Sequence, residues 1–475
     1  MKNRIIFDTK VQLLKYEVLK QIATLAWEDT LLENVLEIPE QIIPGNKPSM
    51  RCCVYKERAV LSKRIKLAIG GNKNNKRILQ VIDIACEDCP KGGYDVTSVC
   101  RGCLAHKCEE ACKRGAISFG SDQKACIDKS KCVDCGACSK VCPFHAIINY
   151  SRPCESSCRV HAISAGENRE ACIDYEKCIS CGACAQACPF GAITDRSDIL
   201  DCVDILKKSD GGKNYKTFAL VAPSVAGQFP YATFGQLFSG IKALGFTDVA
   251  EVALGADIVA SRESGELKEK GFLISSCCPA FVSLVEKKYP HLKEHISANL
   301  SPAGTLAKLI KEKYPDSKTV FIGPCTAKKS ENRRKEYLDY VDCVLTFEEL
   351  QALLDGRNIE LDVQPDYKPN DASYFGRIFA RTGGLSSAVE RSLKQSGDGF
   401  ELKSVVCNGI DECEIALLKA SKGLLNENFI EGMACKGGCI GGAGCINHND
   451  KNVILVERYA KESENENVSD SFKKL

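Results

Sequence analysis

No stretch of the 475-residue chain holds 18 consecutive apolar residues, so no transmembrane helix is written into it. The first twenty residues, MKNRIIFDTKVQLLKYEVLK, interrupt their apolar positions with Lys, Asp or Glu every few places and offer no signal-peptide core. Net charge is nearly absent too. The 64 Lys and Arg are offset by 62 Asp and Glu, a balance of +2, which gives no field for a polyanion and argues against a nucleic-acid partner. With neither membrane segment nor leader, the expectation is a cytoplasmic protein, in a compartment that keeps thiols reduced.

Cysteine is what the sequence has in excess, at 30 of 475 residues. At ~150 residues per domain the length suits about three domains, enough to bury cores without disulfide staples. In a reducing compartment such cysteines read as metal ligands.

Residues 1–85 contain two cysteines, Cys52 and Cys53, and read as a helical segment. Val11, Leu14, Val18, Ile22 and Leu25 recur at spacings of three and four, one helical stripe. Pro39, Pro44 and Gly45 break the pattern, and a second helix is expected over 55–68, ended by Gly70 and Gly71. No chemistry is evident there. Residues 86–200 are expected to be a ferredoxin-like region, and 18 cysteines lie in 86–188. Cys108, Cys112, Cys126, Cys132, Cys135, Cys138 and Cys142 reappear 46 places on as Cys154, Cys158, Cys172, Cys178, Cys181, Cys184 and Cys188. Coincidence at one offset seven times over marks a duplicated unit. Residues 201–216, around KKSDGGKNYK, read as a polar linker. Over 217–450, apolar runs at 218–221, 272–274, 320–322 and 405–406 alternate with helix-length stretches, which argues for an α/β layered domain. A charged tail over 451–475 is expected to fray.

Cys132, Cys135, Cys138 and Cys142-Pro143, like Cys178, Cys181, Cys184 and Cys188-Pro189, match the bacterial ferredoxin run, in which three thiolates wrap one cubane and the fourth reaches a neighbouring cluster. A compact cube needs several sulfurs from one short loop. A third closely spaced cysteine and the Cys-Pro ending disfavour zinc. Cys100, Cys103, Cys108 and Cys112 complete the first unit: Cys112 with Cys132, Cys135 and Cys138, and Cys142 with Cys100, Cys103 and Cys108. In the second unit Cys158 completes the set of Cys178, Cys181 and Cys184, which leaves Cys154 and Cys188 two ligands short. Cys86 and Cys89 are the candidates to fill that gap, giving three to four accessory 4Fe-4S clusters, and the spacing leaves open which of the pairs Cys86/Cys89 and Cys100/Cys103 serves which unit. Cys126 and Cys172, at positions that are apolar in ferredoxins, read as buried structural thiols, as do Cys343, Cys407, Cys413 and Cys445. Cubanes in series pass single electrons to a buried site, so the large domain should hold a redox catalyst.

Three cysteine motifs punctuate that domain: SCCP at 276–279, GPCTAKK at 323–329 and MACKGGCIGG at 433–442. Two follow expected strands, the usual place for a site in such a sheet. In these motifs and their order, 217–450 resembles the catalytic domain of the FeFe-hydrogenases. The resemblance implies an α/β catalytic domain of two sheet lobes flanked by helices, preceded by ferredoxin-like α+β 4Fe-4S modules and a helical N-terminal segment. It further implies reversible interconversion of 2 H⁺ + 2 e⁻ and H₂ at an H-cluster, a 4Fe-4S cubane joined through a thiolate to a diiron unit with carbonyl, cyanide and dithiolate ligands. Cys278, Cys325, Cys435 and Cys439 match the ligands, Cys439 the bridging one. Cys277 matches the proton donor, Glu263 and Glu266 in GADIVASRESGE at 255–266 the relay carboxylates, Ser297 the relay hydroxyl, and Lys270 an outer cation. Lys328 matches a cyanide partner, and Pro223, Ser224 and Met433 match contacts of the diiron unit. The residues agree with part of this. Neighbours on an extended strand face opposite ways, so Cys277 and Cys278 should not share one cubane, and carboxylates three apart share a helix face. Implied partners are H₂, protons, ferredoxin or a similar small carrier, and maturation proteins for the diiron unit, with no nucleic acid and no membrane.

Departures include Ala280-Phe281 for Gly-Trp, Gly323 for Met, Lys436 for Pro and Ala303 for Gln, which resemble the second lineage, group B, of monomeric enzymes. Two other readings compete. One is a non-catalytic iron–sulfur assembly or scaffold protein of the prelamin-recognition-factor type, the other a hydrogen sensor, for which no signalling domain is recognisable.

Overall fold

The apolar runs at 218–221 and 320–322 form the middle of a parallel sheet. In this computed structural model, which describes residues 7–470 apart from 52, 72–74, 76, 87, 88, 90, 91, 368–370, 398 and 466, the strand order is Asp248–Glu251, Thr217–Val221, Lys318–Ile322, Cys343–Leu345. Cys52 lies outside the described residues. A second parallel sheet runs Leu273–Ile274, Phe429–Met433, Ser404–Asn408. Every strand of both sheets runs parallel to its neighbour, and sheets of that kind are buried under helices on both faces. These are the two lobes. The site lies where the carboxyl ends of their strands meet.

Ahead of them the 46-residue repeat is structural as well as sequential. Strands Ile117–Phe119 and Ala125–Ile127 and helix Ala137–Val141 recur 46 residues later as Ile163–Ala165, Ala171–Ile173 and Ala183–Ala187. The copies are nested rather than consecutive. Strand Leu79–Val81, upstream of both, pairs with Ile193–Asp195 at the far end of the second copy. Strand Gly93–Val96 pairs with Ile147–Tyr150 and closes the first copy inside that bracket. One turn recurs four times: the N–H groups of Ala116, Ala146, Ala162 and Ala192 donate to the sulfurs of Cys112, Cys142, Cys158 and Cys188 at 3.3, 3.4, 3.2 and 3.3 Å. It needs a left-handed residue just before the donor. Gly115 and Gly191 supply it without strain, and His145 and His161 adopt it at φ 49° and 51°.

The N-terminal stripe becomes helix Lys10–Trp27, whose Val18, Leu19, Ile22 and Ala23 are buried against the first lobe. The segment at 201–216 is not an irregular linker. Its first half belongs to helix Ile199–Ser209, which buries Cys202, Val203 and Leu206, and only the stretch from Asp210 is a turn. Nor does the tail fray at 451. Asn452–Lys461 is a helix with Val456, Tyr459 and Ala460 buried, and the Tyr459 hydroxyl donates to Glu251, itself in a 2.9 Å ion pair with Arg377. Cys126 and Cys172 are exposed, not buried. With Ala125 and Ala171 facing in, the period of two turns the next residue outward. Cys343, Cys407, Cys413 and Cys445 are buried as expected.

Candidate active site and its cysteine approaches

Each signature cysteine stands where a parallel strand gives way to a helix or tight turn. Cys278, after Leu273–Ile274, caps helix Pro279–Lys288; Cys325, after Lys318–Ile322, caps Thr326–Glu331; Cys435 follows Phe429–Met433, and Cys439 opens a turn of 3₁₀ helix. Together they line a cavity whose wall also carries Cys277, Lys328, Pro223, Ser224 and Met433. Every residue singled out for the diiron side is therefore in one wall.

The cavity fits an iron–sulfur group on two observations. Burial pushes the thiols of Cys325 and Cys439 up to about 12, with the other cysteines adding to it, so thiolates here need cationic metal beside them. The hydroxyl of Ser224, facing the same space, is buried without a hydrogen-bond partner among the described residues, as is expected of a polar atom waiting for a ligand.

From this wall a line of polar groups runs outward. Cys277 is buried beside Glu263, and burial first, then the Glu263 charge, holds its thiol well above the ordinary range. Glu263 is fully buried; burial pushes it up to about 8 despite hydrogen bonds from the Ser276 N–H at 3.4 Å and from Ser297. The Ser297 hydroxyl donates to Glu266 at 2.9 Å, and Glu263 Oε2 keeps no partner among the described residues. A hydroxyl has one proton, so Ser297 serves one carboxylate at a time. Glu266 feels a smaller burial penalty, outweighed by bonds from Lys270, the Ala298 N–H and Ser297, and lies below the usual carboxylate range. Its 2.7 Å pair with Lys270 reaches the surface. Asn299, which sequence reasoning missed, donates to Glu266 at 3.0 Å and to Ser297 at 3.1 Å.

Lys328 is held by Glu331 at 2.7 Å, and Glu331 accepts from the Ser301 hydroxyl at 3.1 Å. Its neighbour Lys329 points the other way into a buried network. Lys329 pairs with Asp195 and Glu349 at 2.8 Å each, and Lys15 pairs with Asp195 and Glu348 at 2.6 Å each. A second residue that sequence reasoning missed is Glu431, fully buried on strand Phe429–Met433. It accepts from the N–H groups of Gly383 at 2.7 Å and Ser386 at 2.8 Å, and through that loop steadies Ala380, whose carbonyl accepts the Cys439 N–H at 2.8 Å. The sequence carried no signal for it, since Glu431 and Gly432 also hide the strand on which it lies.

The accessory cysteines gather in four sets. Cys108 has Cys103 and Cys142 as neighbours, Cys138 has Cys112 and Cys132, and Cys184 has Cys158, Cys178 and Cys181. The nested topology brings Cys86 and Cys89 to Cys154 and Cys188. The third set abuts the site: Cys181 neighbours Cys278 and Cys435, the Thr326 hydroxyl donates to the Ser180 carbonyl at 2.8 Å, and Lys287 donates to the Cys178 carbonyl at 2.7 Å.

Residues 215–443 match the family described as iron only hydrogenase large subunit, C-terminal domain. A 4Fe-4S dicluster domain matches 99–146 and a 4Fe-4S binding domain 171–194. Residues 215–443 are thus similar to the FeFe-hydrogenase catalytic domain, with matches to 4Fe-4S domains ahead of them. Among relatives, iron hydrogenase 1 of Clostridium pasteurianum is 31% identical over 271 residues, 47% of this chain and 47% of that protein. The cytosolic Fe-S cluster assembly factor NAR1 of Kluyveromyces lactis is 29% identical over 193 residues, 37% of this chain and 41% of the relative. The hydrogenase-like chain thus spans about half the length of the curated relatives it matches. A solved apo FeFe-hydrogenase from Chlamydomonas reinhardtii superposes with a TM-score of 0.49 at 23% identity, over 59% of this chain and 93% of that one. Among the described residues no helix is long and apolar enough to cross a membrane.

Proposed function

We propose that the protein is an FeFe-hydrogenase, interconverting 2 H⁺ + 2 e⁻ and H₂ with electrons exchanged through 4Fe-4S clusters. One observation carries the reading: a chain of acids and a hydroxyl leads from the surface pair Lys270–Glu266 through Ser297 and buried Glu263 to Cys277 in the cavity wall. A protein that only bound or passed on clusters would have no use for it.

Cys278, Cys325, Cys435 and Cys439 would hold the H-cluster, Cys439 as the bridging thiolate, with Lys328, Pro223, Ser224 and Met433 around its diiron part. When bound, that cluster supplies the redox metal at which protons and electrons combine. The chain's own part is proton supply and a dry, shaped space. Glu266, kept acidic, takes a proton from water and releases it readily. Ser297 swings its single hydroxyl proton between the two carboxylates. Glu263 favours the neutral form near pH 7 because burial penalises its anion, so a proton rests there, next to Cys277. The Cys277 thiol then presents a proton to the cavity and is reloaded from Glu263, a positioned relay of the general-acid kind. Lys328, its ammonium fixed by Glu331, offers a charge-assisted donor to anionic ligands in the wall. Electrons would travel through the four cysteine sets and reach the site at Cys181, exchanged outside with ferredoxin or a similar small carrier. Maturation proteins would deliver the diiron unit.

The assembly-factor reading draws on the NAR1 relative and lacks a role for Cys277 and Glu263. Infrared spectra of protein matured with the diiron unit separate the two. Carbonyl and cyanide bands together with hydrogen evolution are expected; their absence from fully iron-loaded protein would establish the assembly reading.

A further inference from the structure

The two copies of the repeat have unequal surroundings. The second copy presses one face onto the catalytic domain. Val160, Ile179 and Cys181 pack into the apolar cluster that includes Cys278, Cys325 and Ala327, and Ile179 is only 3% exposed. At the rim, Arg159 pairs with Asp411 of the catalytic helix Ile410–Ser421 at 3.5 Å. This is the face by which the third cysteine set meets the site.

Stepping back 46 residues gives the same face on the first copy, and there it meets solvent. Ile179 becomes Val133, 56% exposed; Cys181 becomes Cys135, also exposed. Arg159 and Val160 become Lys113 and Arg114, both exposed. These four residues line one cavity with Cys112, Cys132 and Cys138. Lys140 on the next helix is exposed as well; of the acids close in sequence, Asp134 accepts the Tyr94 N–H at 3.2 Å, Glu109 faces the His106 ring at 3.1 Å, and Glu110 is exposed. The large apolar residues Val99, Leu104, Val141, Phe144, Ile148 and Tyr150 are exposed elsewhere on this copy, whereas among the described residues of the second copy, 153–195, none is. Apolar centres rimmed by charge mark interaction sites.

We infer that the face formed by Lys113, Arg114, Val133 and Cys135 is the docking surface for a separate electron-carrying protein with an acidic rim. The second copy supplies the template: its equivalent face receives an apolar wall and one carboxylate, Asp411. The first copy offers two cations where the second has one, so the matching rim carries at least that much negative charge. On docking, one electron leaves the carrier and one is gained at the site of Cys112, Cys132, Cys135 and Cys138, with no bond made or broken. The inference rests on the hydrogenase reading for the electron's destination; the surface rests on the duplication.

The test uses the cluster-loaded full chain and a purified acidic 4Fe-4S ferredoxin as probe. Calorimetry should find binding that weakens with salt. The double variant Lys113→Glu, Arg114→Glu should raise Kd by about tenfold or more and lower the ratio of ferredoxin-coupled to dye-coupled hydrogen evolution. Lys124→Glu, the same kind of charge change on the hairpin turn, should bind within about twofold of the parent. If reversal costs iron, Lys113→Gln with Arg114→Gln at full iron content is measured in its place. Unchanged affinity in the double variant, or a parent that does not bind, overturns the docking surface. Normal binding with no hydrogen from either donor would leave the surface standing and remove the hydrogenase reading.

Discussion

Glu263 and Glu266 are three residues apart on one helix and are tuned in opposite directions. Glu266 is held as an anion near the surface, whereas burial brings Glu263 to about 8. Because the folded value of Glu263 lies above the ordinary carboxylate value, its stabilising contribution is complete below about pH 4 and lost as pH rises through about 8, at about 1.4 kcal/mol per pH unit. The infrared band of a protonated carboxyl should accordingly be present at neutral pH, fade as pH rises through about 8, and be missing from Glu263→Gln. That isosteric variant should also lose about 10²- to 10⁴-fold in turnover. A parent lacking the band at neutral pH would remove Glu263 as the proton store. The two acids were legible from their spacing and motif, but their division of labour was not, because it depends on depth beneath the surface. Glu431 was illegible for a related reason: without the loop at 380–386 above it, nothing marks a strand carboxylate as a hydrogen-bond anchor.

Among the elements, runs of β-branched and aromatic residues gave away strands Thr217–Val221 and Lys318–Ile322. Phe429–Met433 carries a Glu and a Gly in the middle and hid. Gly432 has no room for a side chain, since a Cβ there would meet the Phe281 ring at 2.2 Å. The helix Ile199–Ser209 was masked by the lysines and glycines after it, although Ile199, Cys202, Val203 and Leu206 describe a helical stripe. Its surroundings explain why a helix belongs there. Just before it, Asp195 and Ser197 enter the buried network, Ser197 donating to Glu349 at 2.5 Å. That network ties four elements that sequence reading kept apart: helix Lys10–Trp27, the last strand of the repeat, helix Thr326–Glu331 after Cys325, and helix Phe347–Gly356, which carries Glu348 and Glu349. Lys329→Met should strand Glu349 without a cation and cost about 3–5 kcal/mol, read as a lower urea midpoint for loss of cluster absorbance. A midpoint unchanged from the parent would mean that Lys15 alone satisfies the carboxylates.

At the scale of the whole molecule, the repeat was plain in the cysteine spacing, but its nesting was not, because spacing carries no information on which strand pairs with which. Gly93 and Tyr150 are direct cross-strand partners, about 5 Å apart at Cα, so the first copy begins and ends at one place. Deleting 93–150 and joining the ends by a short glycine link should remove two cubanes and leave the iron held by Cys86, Cys89, Cys154 and Cys188 and by Cys158, Cys178, Cys181 and Cys184. Iron analysis that found all accessory iron gone would refute the nested arrangement. Helix Lys10–Trp27 sets a different kind of constraint. Its Gln12 side chain donates to the Cys445 carbonyl at 2.7 Å, and Asp8 meets His448 at 2.6 Å, spans of more than four hundred residues. A ribosome delivers that helix more than three hundred residues before helix Phe347–Gly356, on which it packs, at ~5–20 residues per second. Until helix Phe347–Gly356 is made, the stripe of Val18, Leu19 and Ile22 has only the partial cover of helices Val54–Ala68 and Ile199–Ser209, while the repeats between can already fold and collect iron. Complete docking of that helix on the first lobe thus follows synthesis of the repeats, and it joins a molecule whose electron path has had time to be built.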